Sequence, residues 1–388
     1  MKFKKITIIS LIITLVFAFL LTGQNIGNVK ADTITSNSKA SVLMEYGTGE
    51  ILTEYNSTEQ LPIASVTKLM TILLTMENIE NGNLSLNQSI VASENASGMG
   101  GSQVFIDANA EYTVENLLRA VIIASANDAS VALAEEIGGS ESGFVQMMNN
   151  KAKELGLENT NYVNCSGLPA PSQYSCAKDV AKVMRELVQY PLYFKISGVW
   201  MEDFEHPSGR VTNMANTNKL VKFYKGCDAG KTGSTNEAGY CLAATAERNN
   251  MRLISVVLGA DTSKGRFADA STQFDWGFGN FESVRLVNAS ENLSDQVDLQ
   301  KAKNNNLVLV PEEDFYSVTK KGDSTNLEVN IELPKKLSAP LKAGDVVGKI
   351  ILTEQGEVKK EINIVVAEDI EQLGYFGTAQ GIMRRWQF

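Results

Sequence analysis

The stretch "LPIASVTKLMTILLTME", Leu61 to Glu77, sets Ser65 three residues before Lys68 at the mouth of an apolar run. A serine hydroxyl attacks well only when a neighbouring base takes its proton. The chain holds one histidine, His206, in the loop-like "MEDFEHPSGR". A Ser-His-Asp triad would have to recruit that residue, and a two-histidine zinc site cannot be built. Lysine must then be considered as the base. At i+3 from a serine that opens a helix, the amine lies on the serine's face, and a helix apolar nearly all round strips it of water and lowers its pKa. A second cation at about 4 Å adds roughly 4 kcal/mol of repulsion at an effective dielectric near 20, worth about three pK units. That brings a lysine toward neutral pH.

The S-x-x-K spacing occurs four times: Ser36/Lys39, Ser65/Lys68, Ser175/Lys178 and Ser317/Lys320. Ser36 and Ser317 sit in strand-like or turn-like stretches. Ser175 opens an amphipathic segment whose polar face carries Lys178, Asp179 and Lys182, where a serine is expected as a helix cap. Only Ser65 starts a helix able to exclude solvent. Two further patterns join it. "IIASAND" strands Ser125 and Asn127 within an apolar helical run, where buried polar groups need partners; a capped helix join is the competing reading. "DAGKTGSTNEAGYCL" sets Lys231, Thr232 and Gly233 at the entry to a strand, with a glycine that lets a substrate backbone lie close; a plain turn before a strand competes here.

In this order, S-x-x-K, S-x-N and K-T-G resemble the active-site set of the penicillin-recognising serine enzymes. The surrounding text, "NDASVALAEEIGGSESGFVQMMNNKAKELGLENTNYVNCSGLP", "GKTGSTNEAGYCLAATAERNNMRLISVVLGA" and "RFADASTQFDWGFGNFE", resembles the D-alanyl-D-alanine carboxypeptidases among the low-molecular-mass penicillin-binding proteins. The resemblance spans about residues 36–370. The sequence departs from the family pattern at Ala126, at "DAGKTG" and at the cysteines at 165 and 176, none of which removes a catalytic group.

The resemblance implies an acyl-enzyme route without metal or cofactor. Ser65 attacks the carbonyl between two terminal D-alanines, Lys68 accepts its proton while the charge of Lys231 depresses it, Ser125 relays a proton to the departing D-alanine, and Asn127 orients Lys68. The N–H groups of Ser65 and Ser234 form the oxyanion hole. Thr232 and Thr235 hold the terminal carboxylate beside Gly233, and Arg266, in the "RF" pair, supplies a charge-assisted partner for it; a surface salt bridge is the alternative for Arg266. The implied substrate is a peptidoglycan stem peptide ending in D-Ala-D-Ala, with β-lactams as covalent inhibitors. A class A β-lactamase needs a glutamate in an E-x-x-x-N pattern, and Glu158 is followed by Asn159 and Asn161 at other offsets. A D,D-endopeptidase remains an alternative, as does a non-catalytic cell-wall binding protein, although such a protein has no use for a lysine buried beside a serine.

The implied architecture is α+β: a β-lactamase/transpeptidase-like catalytic domain, with helices on the faces of an antiparallel sheet, over 32–285, then a small all-β sandwich-like domain over 286–368. Patterning agrees. "ASVLMEYGTGEILTEYN" alternates around a turn, "TVENLLRAVIIASANDASVALAEEIG" reads as two helices joined by a short break, and "SGFVQMMNNKAKELGL" and "SCAKDVAKVMRELVQY" are amphipathic. "GYCLAATAER" and "MRLISVVLGA" are strands, and "RFADASTQFDWGF" a last helix. After Glu282 only short alternating runs remain, with a linker expected at Glu282 to Asn288.

The first 31 residues place Lys2, Lys4 and Lys5 before an unbroken apolar run, as a signal peptide does; an uncleaved anchor is the competing reading. Both put the domain outside the cytoplasm, at the outer face of the membrane or in the wall. Cleavage removes four lysines and no acid, so the net charge of −10 becomes −14, which argues against nucleic acid as a partner. Export permits disulfides. Cys227 and Cys241 read as buried thiols, and a Cys165–Cys176 bridge is a hypothesis. At the other end, 369–388 set Phe376, Met383 and Trp386 on one helical face beside Arg384 and Arg385, fit for a lipid interface; three glycines weaken that helix, and a tail frayed or packed on the β domain competes.

Overall fold

The computed structural model describes residues 34–373 apart from 36 and 305. The signal-peptide reading of 1–31, Ser36 and the greater part of the C-terminal tail lie outside them.

The central element is a five-stranded antiparallel sheet in the order β2-β1-β9-β8-β7. Its strands are β1 (Ala40–Glu45), β2 (Ile51–Tyr55), β7 (Cys227–Thr235), β8 (Gly239–Arg248) and β9 (Met251–Ala260). The strands are apolar on both faces because both faces are covered. Ala40, Val42 and Met44 of β1 with Ile254, Val256 and Leu258 of β9 join one core. Leu43, Leu242, Leu253 and Val257 join a second core, with Phe274, on the opposite face. The period of two along each strand sorts the side chains this way.

The larger core holds most of the helices. The helices run as α1 (Lys68–Glu80), α2 (Glu94–Ser97), α3 (Val114–Ile123), α4 (Asn127–Gly138), α5 (Glu141–Glu154), α6 (Ala177–Leu187), α7 (Pro191–Ser197), α8 (Leu220–Phe223) and α9 (Ser263–Asn280). Every residue of α1 from Lys68 to Met76 is buried, as its all-round apolar pattern predicts, and the helix packs on α3, α4, α5 and α6. The break between α3 and α4 falls at Ser125, and α4 ends on Gly139 in the left-handed region. The amphipathic α9 lies on β8 and β9 over the second core.

Short hairpins complete this part: β3 (Ser89–Val91) with β4 (Glu111–Thr113), and β5 (Met201–Glu205) with β6 (Val211–Ala215). The second replaces the loop expected around His206. That histidine is buried at its turn, between the Tyr112 hydroxyl and Thr212 Oγ1, each 3.0 Å away.

The expected linker is itself a strand. β10 (Phe281–Val287) follows α9 directly and pairs with β13 (Phe315–Lys320) of the all-β part. The remaining strands are β11 (Asp298–Gln300), β12 (Leu309–Pro311), β14 (Glu328–Glu332), β15 (Lys336–Ser338), β16 (Val346–Glu354) and β17 (Glu357–Val366). A four-stranded sheet, β12-β17-β16-β14, carries its core on alternate residues such as Ile362, Ile364 and Val366.

Two smaller expectations are corrected. Cys165 and Cys176 are free, buried thiols: Cys165 Sγ donates to Glu141 Oε1 at 3.3 Å, whereas Cys176 caps α6 by accepting from the N–H of Asp179. Cys227 and Cys241 are buried and free as expected. Ser175 is therefore not the cap; its backbone pairs with Leu61 and its hydroxyl meets Thr160 at 2.8 Å.

Candidate active site

The chain enters the site through Ala64, whose φ of 48° lies in the left-handed region, and then makes a 3₁₀ turn, Ala64–Thr67, that runs into α1. Such a conformation is unfavourable for alanine and persists because the surroundings dictate it. Those surroundings are two glycines. A Cβ on Gly233 of β7 would sit 2.6 Å from the Ile63 carbonyl and 2.9 Å from the Ser65 N, so only glycine lets the strand lie against the turn. Gly167, at φ 81°, presses on the Ala64 carbonyl from the other side and leaves no room for a side chain either.

Lys68 Nζ lies 3.2 Å from Ser65 Oγ. The amine also donates to Asn127 Oδ1 and to the Ser166 carbonyl, each at 2.5 Å. Asn127 is oriented in turn, because its Nδ2 donates to the Gly100 carbonyl at 2.7 Å and so turns its oxygen toward the lysine. Every acceptor at Lys68 among the described residues is uncharged. Burial pulls its pKa down to about 7, against the opposing pull of Cys165 and Asp128.

Lys231 is also fully buried and donates to Ser125 Oγ at 2.7 Å. Ser125 itself sits at φ 63° in the α3–α4 break. Burial holds the Lys231 pKa well below its ordinary value, and the charges of Lys68 and Arg266 deepen the drop. Both amines are depressed, with burial the larger cause at each and their mutual repulsion adding to it.

Lys231 and Gly233 stand within β7, which is an edge strand paired only with β8. Thr232 on the same strand is buried, Ser234 is exposed, and Thr235 is half-buried with Oγ1 accepting from the N–H of Ala238. Arg266 is neither exposed nor in a salt bridge: it is 8% exposed, and its Nη1 donates to the carbonyls of Gly233, at 2.9 Å, and Cys241, at 3.3 Å. It braces the strand from α9, and its Nε has no partner among the described residues.

Several parts of the site escaped the sequence reading. The excursion 162–173, closed by the pairings Asn161 with Tyr174 and Leu61 with Ser175, brings the Ser166 carbonyl to Lys68. Asn164 Oδ1 folds its turn by accepting from the N–H of Gly167 at 2.7 Å, and Thr71 of α1 donates to the Cys165 carbonyl at 2.7 Å. Asp128 gathers the N–H groups of Val104, Phe105 and Ile106, fixing the wall beside Asn127. The Asn-Cys-Ser-Gly run was a legible turn signal; the role of its carbonyl was not.

A half-buried serine facing a desolvated lysine, a second lysine bonded to a second serine, and a free strand edge beside them define a serine acyl-transfer enzyme of the penicillin-recognising class. Residues 27–262 match the family model for D-alanyl-D-alanine carboxypeptidase, and 281–372 match that for the C-terminal domain of penicillin-binding protein 5. The chain belongs to the D-alanyl-D-alanine carboxypeptidase family. It is 39% identical over 354 residues, 91% of either chain, to the D-alanyl-D-alanine carboxypeptidase DacF of Bacillus subtilis. Among solved structures it is similar to PBP3 of Streptococcus pneumoniae, a peptidoglycan synthesis regulatory factor, at 30% identity and TM-score 0.71, with 87% of this chain and all of that one covered. Penicillin-binding protein D2 of Listeria monocytogenes, solved in its ampicillin-bound form, matches 62% of this chain and 97% of its own at 32% identity and TM-score 0.54.

Proposed function

We propose that the protein removes the terminal D-alanine from peptidoglycan stem pentapeptides through an acyl-enzyme on Ser65, and that penicillins acylate the same hydroxyl. The observation that carries this reading is a single contact: an amine with a pKa of about 7, buried and 3.2 Å from the Ser65 hydroxyl. At neutral pH a large share of such a lysine is unprotonated and can accept the serine proton as the acyl bond forms. Ser125, held by Lys231, returns a proton to the leaving D-alanine. Asn127 aims Lys68. The N–H groups of Ser65 and Ser234 receive the developing oxyanion, each such donor being worth roughly 3 kcal/mol. Thr232 and Thr235, with the positive field of Lys231 and Arg266 behind them, take the terminal carboxylate. Arg266 acts here through the Gly233 carbonyl, as a positioning residue.

The β-lactamase alternative is disfavoured by the loop that faces Lys68. It offers the Ser166 carbonyl where a carboxylate would be wanted, and Glu158 is exposed. Bound penicillin is accordingly released slowly. Intact-protein mass spectrometry after penicillin treatment, with peptide mapping, tests the reading: the adduct is expected on Ser65, together with D-alanine release from a pentapeptide ending in D-Ala-D-Ala. An adduct elsewhere, or fast penicillin hydrolysis without D-alanine release, contradicts it.

We further propose that the enzyme is exported and works at the outer face of the cytoplasmic membrane, with its C-terminal segment resting on the lipid. The lysine-led apolar opening and the Arg-Arg-Trp end support this placement. Deletion of residues 371–388 followed by membrane fractionation tests the anchor; unchanged partitioning rejects it.

A further inference from the structure

The end of the central sheet away from the nucleophile carries a cationic pocket. Gly233 is level with Cys241 of β8, and Leu242 beside it with Val257 of β9, which sets the catalytic crevice at the Ala40 end of β1. The turn between β1 and β2 lies at the other end of that strand, roughly 16 Å away. There a cavity of about 280 Å³ opens between the turn and α6, with Met44, Ile51 and Leu155 as its apolar lining.

Three cations line it, Lys178, Lys182 and Arg185, against one acid, Glu186. They stand at i, i+4 and i+7 of α6 and share a face, where like charges repel, and Lys178 is in the first turn, where the helix dipole also opposes a cation. None has an ion pair among the described residues, although cations elsewhere do: Arg119 meets Glu202 at 2.7 Å and Arg252 meets Asp228 at 2.8 Å. Their bonds go to uncharged groups. Lys182 Nζ donates to the Gly156 carbonyl at 2.6 Å, and Arg185 Nε and Nη2 donate to the carbonyls of Tyr46 and Gly47 at 2.6 and 2.9 Å. The Lys178 amine has no partner among the described residues. Arg185 is thereby fixed, while its Nη1 stays unbonded over Gly49, where a Cβ would come within 3.1 Å of it. All three side chains are half-buried, in a chain whose net charge is −10.

A fixed guanidinium with two ammonium groups around a cavity of this size matches a tetrahedral oxyanion, because a phosphate offers an oxygen to each of the three and a carboxylate has only two. Past Thr48, Gly49 and Arg185 the cavity opens into a groove of about 810 Å³, where Lys320, Lys359 and Lys360 are mixed with Glu50, Asp323 and Glu354. A groove of balanced charge receives an uncharged, hydroxylated remainder better than further phosphates.

We propose that Lys178, Lys182 and Arg185 form a binding site, separate from the catalytic crevice, for the phosphate group of a polyol phosphate. Isothermal titration calorimetry of the full chain with glycerol 3-phosphate is expected to give a Kd of about 1 mM or tighter, with inorganic phosphate weaker and glycerol silent. Lys178→Glu, at a side chain with no bond of its own among the described residues, should weaken that binding at least about tenfold, while penicillin acylates Ser65 at the wild-type rate and so reports an intact fold. Flotation with phosphatidylglycerol vesicles then assigns the source: a deficit in Lys178→Glu puts the phosphate on a lipid headgroup, and equal flotation puts it on a soluble ester. Absence of binding in wild type, equal affinity for inorganic phosphate, or affinity unchanged in Lys178→Glu overturns the proposal.

Discussion

Lysines in the catalytic crevice and lysines on the C-terminal β domain are the same residue in opposite circumstances. On the β domain, Lys303 meets Glu371, Lys349 meets Glu361 and Lys359 meets Glu357, all at the surface. Each has a carboxylate for a partner, and for Lys303 and Lys359 the pairing raises the pKa. In the crevice, Lys68 and Lys231 are fully buried and meet hydroxyls, an amide and carbonyls, with no carboxylate among the described residues bonded to either. The difference teaches what makes a lysine a base. Burial among neutral acceptors removes the stabilisation of its charge, and the backbone around it, with Ala64 and Ser125 in the left-handed region, is arranged to hold that unfavourable state.

The sharpest break in the comparison is Ser65→Ala. Loss of a nucleophile is expected to remove D-alanine release by on the order of 10⁴-fold or more, and labelling by fluorescent penicillin should vanish with it. Next comes Gly233→Ala. The added methyl displaces β7 from the Ser65 turn, and a misplacement near 1 Å lowers the acylation rate about 100-fold; stopped-flow acylation measures it.

A smaller effect appears in stability. Burial pulls Lys68 down to about 7 in the folded protein, whereas in the unfolded chain it keeps the ordinary lysine value of 10.5. Between those values the unfolded chain binds more protons, so the lysine makes stability rise with pH in that window. Thermal unfolding from pH 7 to 8.5 should show a shallower rise in Lys68→Met than in wild type. The smallest effect belongs to the other region: Lys349→Ala removes an exposed pair and should change stability by no more than about 0.5 kcal/mol, with acylation unaltered.

How much of this was legible in the sequence depends on which atoms carry each feature. Ser65 and Lys68 were readable from their spacing at the start of an all-round apolar helix, whereas Ser125, Asn127 and Lys231 were singled out by the order of the three motifs and the family resemblance it carries. The strands and helices around them follow periodicities of two and near four. The Ser166 carbonyl was not readable, since any residue supplies one and only the closure of the 162–173 excursion brings it to Lys68. Arg266 was readable as important, yet its bonds to the carbonyls of Gly233 and Cys241 depend on how α9 lies across β7 and β8. The proposed Cys165–Cys176 bridge failed for a related reason: nearness in sequence said nothing of Glu141, which occupies the Cys165 thiol. The linker at Glu282 failed because a polar, alternating run fits a paired edge strand as well as a connection.

The pH dependence of Ser65 acylation by penicillin tests the central claim most directly. Measured by stopped flow from pH 5 to 10.5, the rate is predicted to rise through one ionisation near pH 7 and then level, as Lys68 sheds its proton. A rise centred near pH 10, where a solvated lysine ionises, would contradict it.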